Sequence, residues 1–120
     1  MLKFLSSALL VALFACPIPA AAQQSKPQTL RKFIVEREIP KVGSLGPADL
    51  KGAAAKSNEA LTTIGTDIQW VESYVTADKT FCVYLAKDEA TIKKHAELSG
   101  FPASKITEVR RKIDPTTAGD

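Results

Sequence analysis

The chain has 120 residues, enough for one domain with a single hydrophobic core. Its composition is 45% hydrophobic and 24% charged, with a formal net charge of +3. The charges alternate in sign and form no long block of like residues, so the sequence favours neither a nucleic-acid nor an anionic-membrane partner.

Residues 1–22 have the layout of a secretory signal peptide. A basic residue, Lys3, precedes an apolar run over 4–15, and small alanines stand before Gln23. The apolar run is shorter than the roughly 20 residues that a membrane-spanning helix needs, so no transmembrane segment is expected. We therefore expect cleavage after Ala22 and a periplasmic or secreted protein.

The same segment allows a second interpretation. The sequence Leu-Phe-Ala at 13–15 precedes Cys16 as in a bacterial lipobox, in which the cysteine is lipidated and becomes the mature N-terminus. The mature chain then either begins at Gln23 or is anchored to a membrane through Cys16, and the mass of the exported protein distinguishes the two products. Either route takes the protein out of the cytoplasm.

The mature chain begins with a polar, flexible lead-in over 23–29. The alternating stretch 30–40 then predicts a strand that ends at Pro40. A helical pattern of about 18 residues begins at Pro47 and ends at Gly65, since proline suits the first helical turn and glycine the position after the last.

The second half of the chain predicts three more strands and one more helix. Residues 67–88 indicate two strands joined by a tight turn. Asp88 suits the N-cap of the second helix and Gly100 its end, while 105–114 alternates as the last strand. The order β-α-β-β-α-β predicts an α+β, ferredoxin-like domain over 30–118, with a four-stranded antiparallel sheet and two helices on one face.

Alternation along the strands sorts their side chains between the two faces of the sheet. An apolar set is expected beneath the helices and includes Phe33, Val35, Phe81 and Val83. The opposite face is expected to carry the candidates for a ligand surface: Glu36, Trp70, Glu72, Tyr74, Cys82, Tyr84, Glu108 and Arg110. Such an aromatic patch is typical of an interaction surface. Because many small ferredoxin-like domains bury this face against a second copy, we expect a homodimer in the form of a dimeric α+β barrel.

Three glutamates of that face come from three different strands: Glu36, Glu72 and Glu108. Clustered carboxylates can bind a divalent cation, or raise one another's pKa for acid–base chemistry. Arg110 lies two residues after Glu108 and is a candidate for neutralising the glutamates in an ordinary ion pair. The sequence leaves both interpretations open.

His95 is the only histidine of the chain and lies beside the apolar stripe of the second predicted helix. It is a candidate metal ligand or a residue with a structural role. Cys82 has no cysteine left to pair with once Cys16 is cleaved or lipidated, so it is a small buried hydrophobe, a metal ligand or a redox thiol. We expect His95 and the candidates of the sheet face to lie on opposite sides of the sheet, about 10 Å apart, and to share no ion.

Five motifs resemble those of a family of small ferredoxin-like domains with a nickel-responsive or nickel-binding branch: KFIVEREIP, DIQWVESYV, KTFCVYLA, HAELSGFP and EVRRKIDPTTA. The resemblance covers 32–118. It implies a dimeric, non-enzymatic domain with a link to nickel or another divalent transition metal. His95 is the one residue that the resemblance matches to a metal ligand, and imidazole is the natural side-chain ligand for nickel.

Three functions therefore stay open. The sequence favours a non-enzymatic dimer that binds a small ligand or nickel. Dimeric ferredoxin-like barrels also include cofactor-independent monooxygenases, and Trp70, Tyr74 and Tyr84 would line the cavity of such an enzyme. The third function is that of an exported structural or partner-binding domain.

Overall fold

The computed structural model describes residues 12, 14–17 and 27–119. The predicted signal peptide over 1–22 therefore lies mostly outside the described residues. The described part of the lead-in, 27–29, is exposed and belongs to no helix or strand. Among the residues described, no helix has the length and apolar character needed to cross a membrane.

The described residues form one antiparallel sheet of four strands together with two α-helices. In chain order the elements are β1 (Arg31–Glu38), α1 (Pro47–Ile64), β2 (Ile68–Val75), β3 (Lys79–Ala86), α2 (Glu89–Ser99) and β4 (Lys105–Glu108). Short 3-10 helices follow β1 at Val42–Ser44 and β4 at Pro115–Ala118. The strand order β2-β3-β1-β4 confirms the predicted ferredoxin-like α+β fold.

Both α-helices begin and end at the residues that the sequence indicates. Pro47 occupies the first turn of α1, where its missing N–H leaves no helical hydrogen bond unmade. The Asp88 carboxylate caps α2 by accepting a hydrogen bond of 2.8 Å from the Thr91 backbone N–H. Gly100 ends α2 in the left-handed conformation, with φ 75°, which glycine adopts without strain.

The last strand is shorter than predicted. The alternating pattern over 105–114 continues as a strand only to Glu108, after which the Val109 N–H donates one further hydrogen bond to the Lys32 carbonyl. In this register Arg110 would face Arg31, the first residue of β1, but β4 ends two residues before Arg110. Arg110 consequently lies outside the sheet and is exposed.

The register between β1 and β3 corrects the predicted faces of β3. Phe33 lies directly opposite Tyr84. The next such pair is Val35 and Cys82, and residues that face each other in an antiparallel pair point to the same side. Tyr84 and Cys82 are therefore buried beneath the helices. The other side of the sheet, which we call the open face, receives Phe81, Val83 and Leu85 from β3.

A bulge changes the alternation along β2. The pairing with β3 shifts between Trp70 and Glu72, so Val71 is an extra residue. Trp70 lies opposite Tyr84 and packs against the core beneath the helices. Glu72 and the residues after it resume the alternation one position out of phase. As a result Glu72 lies on the open face, as predicted, whereas Trp70 does not.

Candidate functional site

Four polar side chains meet in the interior between the sheet and the helices, and we call them the buried cluster: Arg37, Ser57, Tyr84 and His95. Each comes from a different element, β1, α1, β3 and α2 respectively. At most 5% of any of the four residues is exposed. Buried polar groups of this kind require hydrogen-bond partners, and within the described part of the chain no buried side-chain nitrogen or oxygen is left without one.

Arg37 holds the buried cluster together. Its Nη1 donates to the carbonyl oxygens of Phe101 at 3.1 Å and Pro102 at 2.9 Å. Its Nη2 donates to the Tyr84 hydroxyl at 3.2 Å and lies 3.3 Å from His95 Nδ1. All four partners are neutral, and none of the ion pairs found among the described residues includes Arg37. The guanidinium is therefore a buried charge that no carboxylate offsets.

The contacts of His95 determine its tautomer. Arginine has only donors, so Nδ1 must accept from Arg37 and the ring proton must reside on Nε2. Nε2 lies 3.0 Å from the Ser57 hydroxyl oxygen and donates to it. Burial, together with the positive charge of Arg37, lowers the pKa of His95 to about 4. The imidazole is neutral at physiological pH, and both of its nitrogens are engaged.

A cavity of about 400 Å³ opens next to the buried cluster, and we call it the helix-side pocket. It lies between the sheet, α1 and the segment after β1, and seventeen residues line it: Arg37, Ile39, Val42, Leu45, Leu50, Ala53, Ala54, Ser57, Trp70, Ser73, Val75, Thr80, Cys82, Tyr84, Gly100, Phe101 and Pro102. Apolar walls with a few polar groups are typical of small-molecule sites, as is this volume.

Three of the predicted ligand-face residues line this pocket and not the open face. Trp70 donates from its indole N–H to the Ser73 hydroxyl at 2.9 Å. Cys82 lies with its sulfur 3.4 Å from the Thr80 hydroxyl oxygen. Tyr84 belongs to the buried cluster. The aromatic cavity predicted from Trp70, Tyr74 and Tyr84 does not exist as one surface, because Tyr74 lies exposed on the open face.

The three predicted glutamates do not come together. Glu36 lies on the open face, where Lys79 and Lys105 are 3.6 and 4.0 Å from its carboxylate oxygens. Glu108 pairs with Phe33 across the sheet and so lies on the helix side, where Arg31 binds it at 2.9 Å. The partner proposed for it, Arg110, is past the end of the strand.

Strand order gives the reason for this separation. Glu72 is on the edge strand β2 and Glu108 on the opposite edge strand β4, three strand spacings or about 14 Å away. In the residues that the structure describes, no group of three or more His, Cys, Asp and Glu is arranged to hold a metal ion.

The buried cluster does not fit a nickel ion either. Both nitrogens of His95 are engaged in hydrogen bonds, and a guanidinium 3.3 Å from Nδ1 would repel a cation. Cys82 is on the same side of the sheet as His95, contrary to the prediction. As a small residue of the hydrophobic core, it matches the structural interpretation of this cysteine.

Sequence reasoning missed Arg37, although a signal was present. Arg37 follows Phe33 and Val35 in the same alternation, so the pattern put a charged residue among side chains assigned to the interior. An unpaired cation at such a position indicates a buried polar network or a ligand site.

The comparisons with known proteins agree with this fold. The family described as "Nickel responsive protein SCO4226-like" matches residues 33–109. The crystal structure of SCO4226 from Streptomyces coelicolor A3(2) is similar with a TM-score of 0.59, and the match covers 68% of this chain and 99% of that one. At 12% sequence identity this structural similarity supports the fold alone. No curated protein sequence matches the chain.

We expect the protein to lose stability as the pH falls from 7 to 5. The pKa of His95 is about 4 in the folded state and 6.5 in an unperturbed chain, so the unfolded chain binds the proton first. The stabilisation is present in full above about pH 6.5 and is lost as the pH approaches 4. The free energy of unfolding should fall by about 2 kcal/mol between pH 7 and pH 5, as measured by urea unfolding.

The variant His95→Gln provides the control, because glutamine does not titrate. Its free energy of unfolding should be lower at pH 7 but should change little between pH 7 and pH 5. Asp88 and Asp114 do not interfere, since hydrogen bonds to Thr91 and Thr116 hold their pKa values below the usual range. An equal pH dependence in both proteins would contradict the assignment of a neutral, buried His95.

Proposed function

The chain belongs to the SCO4226-like family of nickel-responsive proteins, and from that premise we propose that it is a non-enzymatic protein that binds a small molecule in the helix-side pocket. The observation that carries the proposal is a cavity of about 400 Å³ with apolar walls and a polar cluster beside it. His95 supports binding over catalysis, because a neutral imidazole with both nitrogens engaged is poorly placed to exchange protons with a substrate.

A neutral probe of suitable size tests this proposal. A water molecule occupies ~30 Å³ in the liquid, so a pocket of about 400 Å³ has room for about 13 non-hydrogen atoms. This is the size of 2-naphthamide. We expect 2-naphthamide to bind the mature protein in titration calorimetry. In Ala54→Phe the new ring would occupy the pocket, since Ala54 lines it, and the affinity should fall by roughly tenfold or more.

Ala55→Phe is the matched control, because Ala55 is the next residue of α1 and is exposed. It should bind the probe as the unchanged protein does. Equal affinities in all three proteins would place the binding elsewhere, and no binding of 2-naphthamide to the unchanged protein would exclude the pocket as a site for neutral molecules of this size.

We also propose that nickel does not bind at His95. The Arg37 charge and the two hydrogen bonds of the imidazole support this, although the resemblance matches His95 to a metal ligand. Titration of nickel ions into the unchanged protein and into His95→Gln should give affinities that agree within about twofold. Tight binding that vanishes in His95→Gln, with the variant still folded by circular dichroism, would overturn this assignment.

The open face supports the proposal that the protein is a homodimer. An apolar patch lies at its centre on the two inner strands: Ile34, Phe81, Val83 and Leu85. These side chains are partly exposed, and Lys79, Lys105 and Glu36 lie beside them. Pairing this patch with that of a second copy would remove it from water and give the dimeric α+β barrel.

The variant Val83→Asp should therefore shift the protein from dimer to monomer in sedimentation velocity, because it would place a carboxylate inside the apolar interface. Leu98→Asp is the control, since Leu98 is an exposed apolar residue of α2, away from the open face. A monomeric unchanged protein, or a Val83→Asp variant that stays dimeric, would contradict the proposed interface.

We further propose that the protein acts outside the cytoplasm. This rests on the signal-peptide pattern of 1–22.

A further inference from the structure

The positive charge of Arg37 in the buried cluster indicates which chemical class of ligand the helix-side pocket would bind. We propose that the helix-side pocket takes a small organic monoanion, a carboxylate with an apolar body, whose negative charge offsets that of Arg37. The inference rests on the proposed binding function of the pocket and adds the chemical class of its ligand.

The first argument is the unbalanced charge of the pocket. Arg37 is the one charged residue in the described lining, and its hydrogen-bond partners are two carbonyls, a phenol and an imidazole. Only 2% of Arg37 is exposed, so water screens its charge poorly. An anion in the adjoining cavity would supply the counter-charge that the chain itself does not, and a cation there would be repelled.

The second argument is the direction of the hydrogen bonds in the buried cluster. His95 Nε2 donates to Ser57, so the Ser57 hydroxyl proton is free to be donated onward. The Tyr84 oxygen accepts a hydrogen bond from Arg37, and this bond and the positive charge of Arg37 counteract the rise that burial causes in the Tyr84 pKa.

The chain of donors ends at Tyr84. Because its oxygen already accepts from Arg37, the phenolic proton remains for an acceptor in the pocket that Tyr84 lines. The buried cluster thus presents a positive charge and an O–H donor to the same cavity. A carboxylate can accept the hydrogen bond from the Tyr84 hydroxyl while its negative charge offsets that of Arg37.

The third argument concerns the body of the ligand. Away from Arg37 the pocket is walled mainly by apolar side chains: Ile39, Val42, Leu45, Leu50, Trp70 and Val75. A second charge on the ligand would have no counter-charge among these residues. The pocket therefore selects a monocarboxylate with an aromatic or branched aliphatic body of about 13 non-hydrogen atoms, and disfavours dicarboxylates and sugar phosphates.

A pair of probes of the same size tests the inference. 2-Naphthoate and 2-naphthamide differ in charge but hardly in shape, and the carboxylate is ionised at pH 7. In titration calorimetry of the mature protein we expect 2-naphthoate to bind roughly tenfold more tightly than 2-naphthamide. In Arg37→Met this preference should disappear, whereas Lys94→Met, which removes an exposed cation from α2, should keep it.

Tyr84→Phe gives a second measurement in case Arg37→Met does not fold. It keeps the ring and removes the phenolic proton, so the affinity for 2-naphthoate should fall by roughly fivefold, and that for 2-naphthamide by less. If both probes bind the unchanged protein with equal affinity, the pocket is a site for apolar molecules and the inference about charge is wrong. If neither probe binds, the proposed binding function fails as well.

Discussion

A buried guanidinium without a carboxylate partner organises the interior of this protein. Arg37 extends from β1 and donates hydrogen bonds to a side chain of β3, to a side chain of α2 and to two carbonyls of the segment after α2. One side chain thereby connects the sheet, a helix and a loop across the core. Because all of these partners are neutral, the charge is satisfied in hydrogen bonding but not balanced electrostatically.

This arrangement decides what the neighbouring groups can do. The imidazole of His95, placed beside a positive charge and away from water, stays neutral and accepts at one nitrogen while donating at the other. The geometry that stabilises the core therefore makes the only histidine a poor ligand for a cation. The positive charge of Arg37, next to a cavity with apolar walls, would favour an anionic ligand there. The description of the family as nickel-responsive does not identify a metal site in the described residues of this chain.

The two faces of the sheet carry different groups. The helix side holds the buried cluster and the pocket, and the bulge at Val71 brings Trp70 to that side while leaving Glu72 on the other. The open face carries an apolar patch flanked by lysines and glutamates, which suits contact with a second copy. A small ligand on one side and self-association on the other can coexist, because the thickness of the sheet separates them.

The sequence by itself determined the order of the elements, and the structure agrees with the predicted helix boundaries at Pro47, Gly65, Asp88 and Gly100. Capping and turn chemistry are local, so neighbouring residues suffice to predict them. Only the tertiary structure decided which face of β3 meets the helices. Both of its alternating sets are largely apolar, and the choice between them depends on its register with β1, set by residues almost fifty positions away. The buried cluster depends in the same way on long-range contacts, since its four members come from four separate elements and only packing brings Arg37 to His95.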